Sequence, residues 1–550
     1  IAGGVVATAY PVLFVDYFLT RMYYVDDPTT ADLVLGYALV VLVLEATRRV
    51  VGIALPATAA FFILYALSLG QQNPLILIDQ LYLTTEGIFG IPAGVSATYV
   101  ILFIIFGALV ERTGTGRLFM DFALALTGHQ VGGPAKVACI TSGLFGTVSG
   151  SAVANVMTTG TFTIPLMRRI GYRPSFAGSV EAVASTGGQI MPPIMGAAAF
   201  VMAEFLGVSY LQVAASALIP AVLYFLAVFM SVHFEARRTG MQGLPRADLP
   251  HLGSVLKERG HLFLPLLIII GVLLAGYSAP YAALCGIVSV IPTALLRRTS
   301  RADISLMTVI DGLIAGARNT VAVALACACA GIVVGVITLT GLGIDFTSVV
   351  LAAAQNTLIL ALLLTMAAGI ILGMGMPTTP AYIVQVALLV PAIVKLGIPV
   401  EAAHMFAFYF AILSAITPPV ALAVYAANSI SGGGLWQTGV ASLKLGATGY
   451  IIPFMFVFGP SLLMIGSWDR ILLTTVTAVI GVVALAASLH GYFLRPTRLF
   501  ERVLLFGGAI VLIKPGLVTD LIGGAALATV VLSQQAFKTG PSAAAQRPGE

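Results

Sequence analysis

Charged side chains are scarce in this chain. Asp, Glu, Lys and Arg make up 9% of its 550 residues, where a water-soluble domain carries about 25%. With hydrophobic residues at 59%, that shortage excludes a soluble globular protein. Strands of about ten residues with alternating polarity are missing as well, which argues against an outer-membrane barrel. The chain contains no His-Glu-x-x-His, no Gly-x-Ser-x-Gly elbow and no Gly-x-x-x-x-Gly-Lys loop, so the usual hydrolytic and nucleotide-binding signatures do not point to an enzyme. Cysteines number 4, all in apolar segments. Cys327 and Cys329 fall on different faces of a helix, which suits neither a metal nor a disulfide. They read as small packing residues. No cleavable signal peptide is evident and Ile1 is not an initiator, so the native N-terminus is expected to be missing.

What the chain does have is long apolar runs, such as Leu33–Glu45, Leu211–Val232, Val321–Leu339 and Leu472–Leu489. A helix needs about 20 such residues to cross a hydrocarbon core of about 30 Å. Extended into flanking Gly, Ser and Thr, the runs predict roughly a dozen spanning helices plus re-entrant pieces in a lipid bilayer. The formal charge of +5 does not signal nucleic acid, because the basic residues sit in short loops, as the positive-inside rule requires.

One pattern occurs twice. Pro165, Gly171, Ala177, Pro192 and Pro193 reappear as Pro391, Gly397, Ala403, Pro418 and Pro419, at one constant interval (391 − 165 = 226). Gly143 and Gly369 extend the match. Ahead of each double proline lies a glycine-rich tip in an apolar run: Gly146-Thr147-Val148-Ser149-Gly150-Ser151, then Gly373-Met374-Gly375-Met376-Pro377-Thr378-Thr379-Pro380. Irregular backbone at membrane depth survives only where protein or a watery cavity buries it. Its free carbonyls need partners, and a hard cation such as sodium is one. Gly146 and Gly150 alone would better suit a helix-packing motif. Two tips and two double-proline breaks in register point instead to a secondary transporter's binding site.

Arginines set the orientation. The first repeat turns at Arg168-Arg169-Ile170-Gly171-Tyr172-Arg173, the second at Val394-Lys395-Leu396-Gly397 with Glu401 close behind. The first turn reads as cytoplasmic and the second as external, so the repeats are inverted. Basic residues at 237–259 and 297–301, with one helix crossing before the second repeat, keep that parity.

These readings predict an all-α polytopic membrane protein with two re-entrant helical hairpins and two broken helices. Residues 1–94 form a helical unit of their own. Residues 95–232 hold the first repeat, with hairpin 134–167 and broken helix 175–204. Residues 233–312 supply connecting loops and two helices. Residues 313–466 hold the second repeat, with hairpin 358–395 and broken helix 401–429, and residues 467–550 add C-terminal helices and a tail.

The run Val180-Glu181-Ala182-Val183-Ala184-Ser185-Thr186-Gly187-Gly188-Gln189-Ile190-Met191-Pro192-Pro193, with its counterpart around Ser414-Ala415-Ile416-Thr417-Pro418-Pro419, resembles the large membrane subunit of tripartite ATP-independent periplasmic (TRAP) transporters. The wording is similar to the TAXI branch, in which small and large membrane subunits are often fused, so residues 1–94 correspond to a shortened small-subunit-like scaffold. The resemblance implies an inverted-repeat, elevator-type carrier in the inner membrane, fed by a periplasmic TAXI-type substrate-binding protein. It implies sodium as coupling ion, with protons the alternative, and no other cofactor. Carried over residue by residue, one cation site uses Gly146, Ser149 and Ser151 with Gly188, Met191 and Pro193. The other uses Gly373, Gly375, Met376 and Thr379 with Thr417 and Pro419. The implied substrate is a small mono- or dicarboxylate, for instance a C4 or C5 acid. Candidate contacts between the tips are Asn155, Thr158, Gln189, Thr378 and Asn428, near half-helix N-termini that suit a carboxylate. Asn155 and Asn428 equally suit interhelical hydrogen bonding. Glu181, about two turns into its helix, is a candidate proton relay, an arginine partner (Arg173) or an interfacial residue.

Overall fold

The structure, a computed structural model, describes residues 2–70, 72–301, 304–355, 357–513 and 516–536. Its elements are helices, and no strand occurs among the described residues. Seven of the described helices are long and apolar enough to cross a membrane, fewer than the roughly dozen expected. The shortfall has a physical reason. Apolar runs are cut into pieces of 10–17 residues, among them Ala54–Ser68, Ala279–Leu295 and Leu358–Gly373, which fall short of the about 20 residues a perpendicular span needs. Large apolar side chains face outward along the spans, as Leu306, Trp436 and Leu472 do, the arrangement that lipid rather than water selects.

Two helical hairpins organise the centre. The first pairs Gly133–Ser149 with Ala152–Arg169, turning at Gly150 in the left-handed conformation (φ 62°). The second pairs Leu358–Gly373 with Thr378–Lys395, and its longer tip turns at Gly375 (φ 72°). After each hairpin comes a helix in two halves: Pro174–Gly187 then Ala197–Leu206, and Val400–Leu413 then Leu422–Ser431. A single 3₁₀ turn ends each first half, at Gly188–Ile190 and Ser414–Ile416. The prolines that follow have no amide to continue the ladder.

The broken helices run antiparallel. Phe205, at the end of the first, faces His404 near the start of the second, with ring centroids 6.4 Å apart. At the other end, a Cβ on Gly178 would lie 2.8 Å from Ser431 Oγ, and one on Gly433 would lie 2.9 Å from Ser175 N. The second arm of each hairpin packs against the distal half of the other repeat's broken helix. The two repeats are therefore inverted and interlocked, and their first halves form the most deeply buried part of the protein, from Ala177 to Gly187 and from Ala402 to Leu413.

The front helices close onto the longest helix, Leu306–Thr340. Thr47 Oγ1 donates to Leu325 O at 3.2 Å and Gln80 Nε2 to Gly335 O at 3.1 Å. Arg21 fastens the unit to itself through a buried, two-pronged bond to Asp79 (2.5 and 3.2 Å). Removing one partner strands the other charge in the core, at a cost of about 3–5 kcal/mol. Arg21→Ala is expected to lower the thermal unfolding temperature in detergent clearly. Arg48→Ala, which removes an exposed partner of Glu45, is expected to leave it in place. Equal melting of the two variants would refute this role for the Arg21 pair.

Candidate functional site

Each hairpin tip sits on the break of its own repeat. A Cβ on Gly146 would come 2.2 Å from Gly188 Cα, and one on Gly150 2.8 Å from Met195 O. In the second repeat a Cβ on Gly373 would meet Ser414 Oγ at 2.6 Å, and one on Gly375 would meet Val420 Cγ1 at 3.2 Å. At Gly146, Gly150 and Gly373 a Cβ would sit closer than the 3 Å that real Cβ atoms keep, and Gly375 needs glycine for its left-handed φ of 72° instead. The pairing of tip with break thus places Gly146 beside Gly188 and Gly373 beside the turn that precedes Thr417.

At the first break Ser149 Oγ is buried with no hydrogen-bond partner, so the tip holds one uncommitted oxygen. Ser151 Oγ instead caps the second arm, accepting from Ala154 N at 3.4 Å. Gly188 O accepts from Met191 N at 3.2 Å. Pro193 O accepts from the Tyr210 hydroxyl at 3.0 Å, and that hydroxyl also reaches Ile194 O. The second break matches in kind: Pro419 O accepts from the Tyr425 hydroxyl. Thr417 Oγ1 donates to Leu413 O at 2.7 Å and pairs with the Tyr450 hydroxyl at 2.6 Å. Met376 and Thr379 are buried there, while Thr378 is half-buried. Sequence reasoning missed Tyr210, Tyr425 and Tyr450. They lie at unrelated distances from their prolines, so no spacing could have marked them.

The candidate substrate contacts do not converge. Asn155 is fully buried and spent within its hairpin: Nδ2 donates to Ser142 O at 2.8 Å and Oδ1 accepts from Thr159. Gln385 braces the second hairpin likewise, donating to Gly369 O at 2.8 Å, while its Oε1 is buried without a partner. Asn428 lies at the far end of its broken helix, where Oδ1 accepts from Thr438 at 3.1 Å. Thr158 points away from the tips toward Glu111 (3.3 Å). Only Gln189 offers an open group at a break, its Nε2 being buried without a partner.

Glu181 is fully buried within the protein. Its partners are hydroxyls rather than Arg173. Ser142 donates at 2.8 Å and Ser185 at 3.0 Å, with Thr159 and Thr163 completing four donors. A buried carboxylate without such bonds is prohibitively costly. Two of the donors have a second acceptor within reach: Thr159 Oγ1 lies 2.8 Å from Asn155 O and Thr163 Oγ1 lies 3.1 Å from Thr159 O. Hydroxyl hydrogens rotate, so the cage can serve either an ionised or a protonated carboxyl. At the interval of 226 the equivalent of Glu181 is Ala407, and this cage belongs to the first repeat alone.

A family model described as "Tripartite ATP-independent periplasmic transporter, DctM component" matches residues 38–471. A second, a domain of unknown function, matches residues 471–534. The chain is similar to the sialic acid TRAP transporter large permease protein of Vibrio cholerae, 26% identical over 60% of this chain and 76% of that protein. It is also 26% identical to the 2,3-diketo-L-gulonate TRAP transporter large permease protein of Escherichia coli, over 66% of this chain and 84% of the other. A C4-dicarboxylate TRAP transporter large permease protein from Pseudomonas aeruginosa is 30% identical over 33% of this chain and 42% of its own length.

Proposed function

The chain belongs to the DctM family of TRAP transporter large permeases, and on that premise we propose that it imports a small organic acid across the inner membrane. A periplasmic TAXI-type substrate-binding protein delivers the acid, a cation gradient drives it, and the two hairpins with their broken helices move as one elevator body. The single observation that carries the reading is the seating of both tips on both breaks within an antiparallel pair. Irregular backbone is thereby gathered at one protein-lined place, where the alternative to a ligand is unsatisfied polar groups. The acids named for the relatives, sialic acid, 2,3-diketo-L-gulonate and C4-dicarboxylates, support the substrate class.

Sodium is the proposed coupling ion. The unpartnered Ser149 oxygen suits a hard cation. Gly146 and Ser151, with carbonyls of Gly188, Met191 and Pro193, are the proposed remaining contacts. At the second site Gly373, Gly375, Met376, Thr379 and Pro419 join Thr417, whose oxygen keeps a lone pair free beyond its two bonds. Uptake into proteoliposomes with the cognate binding protein tests this under separate sodium and proton gradients. Ser149→Ala and Thr417→Val are each expected to raise the half-saturating sodium concentration about tenfold, the equivalent of about 1.4 kcal/mol, with substrate affinity nearly unchanged. Unaltered sodium dependence in both variants sinks the ligand assignment. The Glu181 cage favours a second reading, in which protons drive uptake and sodium is dispensable.

A further inference from the structure

A cavity of about 350 Å³ lies between the elbow of helices Ile101–Arg112 and Thr115–Thr127 and the first hairpin. Its volume corresponds to on the order of ten waters at about 30 Å³ each. The charged side chains on its wall, Glu111, Arg112 and Arg117, are exposed. Its inner wall is formed by hairpin residues, among them Thr141, Thr158 and Thr159. Thr159 is the residue that both lines this cavity and bonds the Glu181 carboxyl. Thr163 and Ser185 bond the same carboxyl and lie off the cavity wall.

From this juxtaposition we infer that the Thr159 hydroxyl is the proton conduit between Glu181 and the solvent-open cavity. When the carboxyl releases its proton, Thr159 Oγ1 accepts it and passes its own hydrogen to water in the cavity. Uptake of a proton reverses both transfers, and Thr159 ends each cycle unchanged. Ser142 Oγ, 3.2 Å from Thr159 and 2.8 Å from Glu181, keeps the carboxyl anchored meanwhile.

The groups around Glu181 leave that path as the short one. Its own hairpin presents the Cys139 thiol, close enough to interact with it, and Lys136 one turn further along, whose Nζ is bonded to Gln130 at 2.8 Å. Helix Tyr210–Thr239 presents Tyr224, whose hydroxyl donates to Val183 O. On helix Leu435–Phe458, Tyr450 is bound to Thr417, and Lys444 faces Glu235, Arg238 and Arg502. The distal half of the second broken helix carries Tyr425 alone, bound to Pro419 O.

The inference deepens the proton-driven reading and rests on it for its purpose, but its test needs no transport. Infrared spectroscopy of the purified full chain follows the carbonyl stretch of the protonated Glu181 carboxyl, assigned by its absence in Glu181→Gln. The exchange of its proton is timed after mixing with D₂O. Thr159→Val, which keeps the shape and removes the hydroxyl, is expected to slow exchange at least about tenfold. Thr159→Ser is expected to restore the rate, and Thr163→Val to leave it near the wild-type value. Unchanged exchange in Thr159→Val, equal slowing in Thr163→Val, or no such band at any pH at which the protein stays folded would each overturn the conduit. Thr159-dependent exchange in a protein whose uptake does not respond to a proton gradient would instead count against the coupling reading alone.

Discussion

Gly146→Ala is expected to abolish uptake while the same change at Gly94 leaves it intact. The added methyl carbon of Gly146→Ala would lie 2.2 Å from Gly188 Cα, 2.8 Å from its carbonyl carbon and 3.0 Å from its oxygen. All three are backbone atoms, so no rotamer relieves the clash, and the tip must lift off the break. Overpacking a well-packed site costs about 1–3 kcal/mol. A backbone against a backbone belongs at the top of that range, and about 3 kcal/mol corresponds to roughly a hundredfold loss. Gly94, with nothing within 4 Å of a Cβ, is the control. Gly373→Ala should also lose uptake, because Ser414 Cβ would lie 2.7 Å from the new methyl carbon and, unlike the Ser414 oxygen, cannot rotate away. The measurement is substrate uptake with binding protein, normalised to folded protein by size-exclusion chromatography. Wild-type uptake by Gly146→Ala would show that the tip-to-break contact is not part of the transport cycle.

That contact was half legible in the sequence. The constant interval locates both breaks, and their 3₁₀ turns fall at equivalent positions, Gly188–Ile190 and Ser414–Ile416. The second arms keep the interval too, Ala152–Arg169 matching Thr378–Lys395, but the first arms, Gly133–Ser149 and Leu358–Gly373, do not. By role, Ser142 matches Gly369, because each offers its carbonyl to the amide of the opposite arm. The repeat pattern had matched Gly369 with Gly143, one position away. The second tip is longer, and a helix renumbered by one residue turns through about 100°. Sequence periodicity cannot see a tip's length from one side. It also could not assemble the Glu181 cage, whose donors are common serines and threonines as far as 39 residues away. Asn155 and Gln385 illustrate the remaining ambiguity: a buried amide is equally good as substrate contact or as brace, and only the bond across the hairpin decides between them. Glu181 stood out in sequence as a carboxylate in an apolar run, but nothing there showed the four hydroxyls that cage it.

Glu181→Leu and Glu181→Gln are expected to fail in different ways. Leucine fills a similar volume and removes every acceptor. Thr159 and Thr163 then turn to Asn155 O and Thr159 O, but Ser185, whose hydroxyl bonds the Glu181 carboxyl, must find another acceptor. A buried hydroxyl left unsatisfied costs about 1–3 kcal/mol, so Glu181→Leu should melt at a lower temperature than the parent. Glutamine preserves the shape and resembles the protonated acid, accepting at Oε1 and donating from Nε2 to oxygens whose hydrogens face the helix carbonyls. Its fold should persist with a charge state that no longer changes. Under a proton gradient alone, Glu181→Gln should take up substrate no faster than with no gradient. Under a sodium gradient it should retain uptake through the two tip sites. Equal melting of the leucine and glutamine variants would show that the hydroxyls do not depend on the carboxyl. A proton-driven rate unchanged in Glu181→Gln would remove Glu181 from the coupling step, leaving the cage as a device that holds the first hairpin against its broken helix.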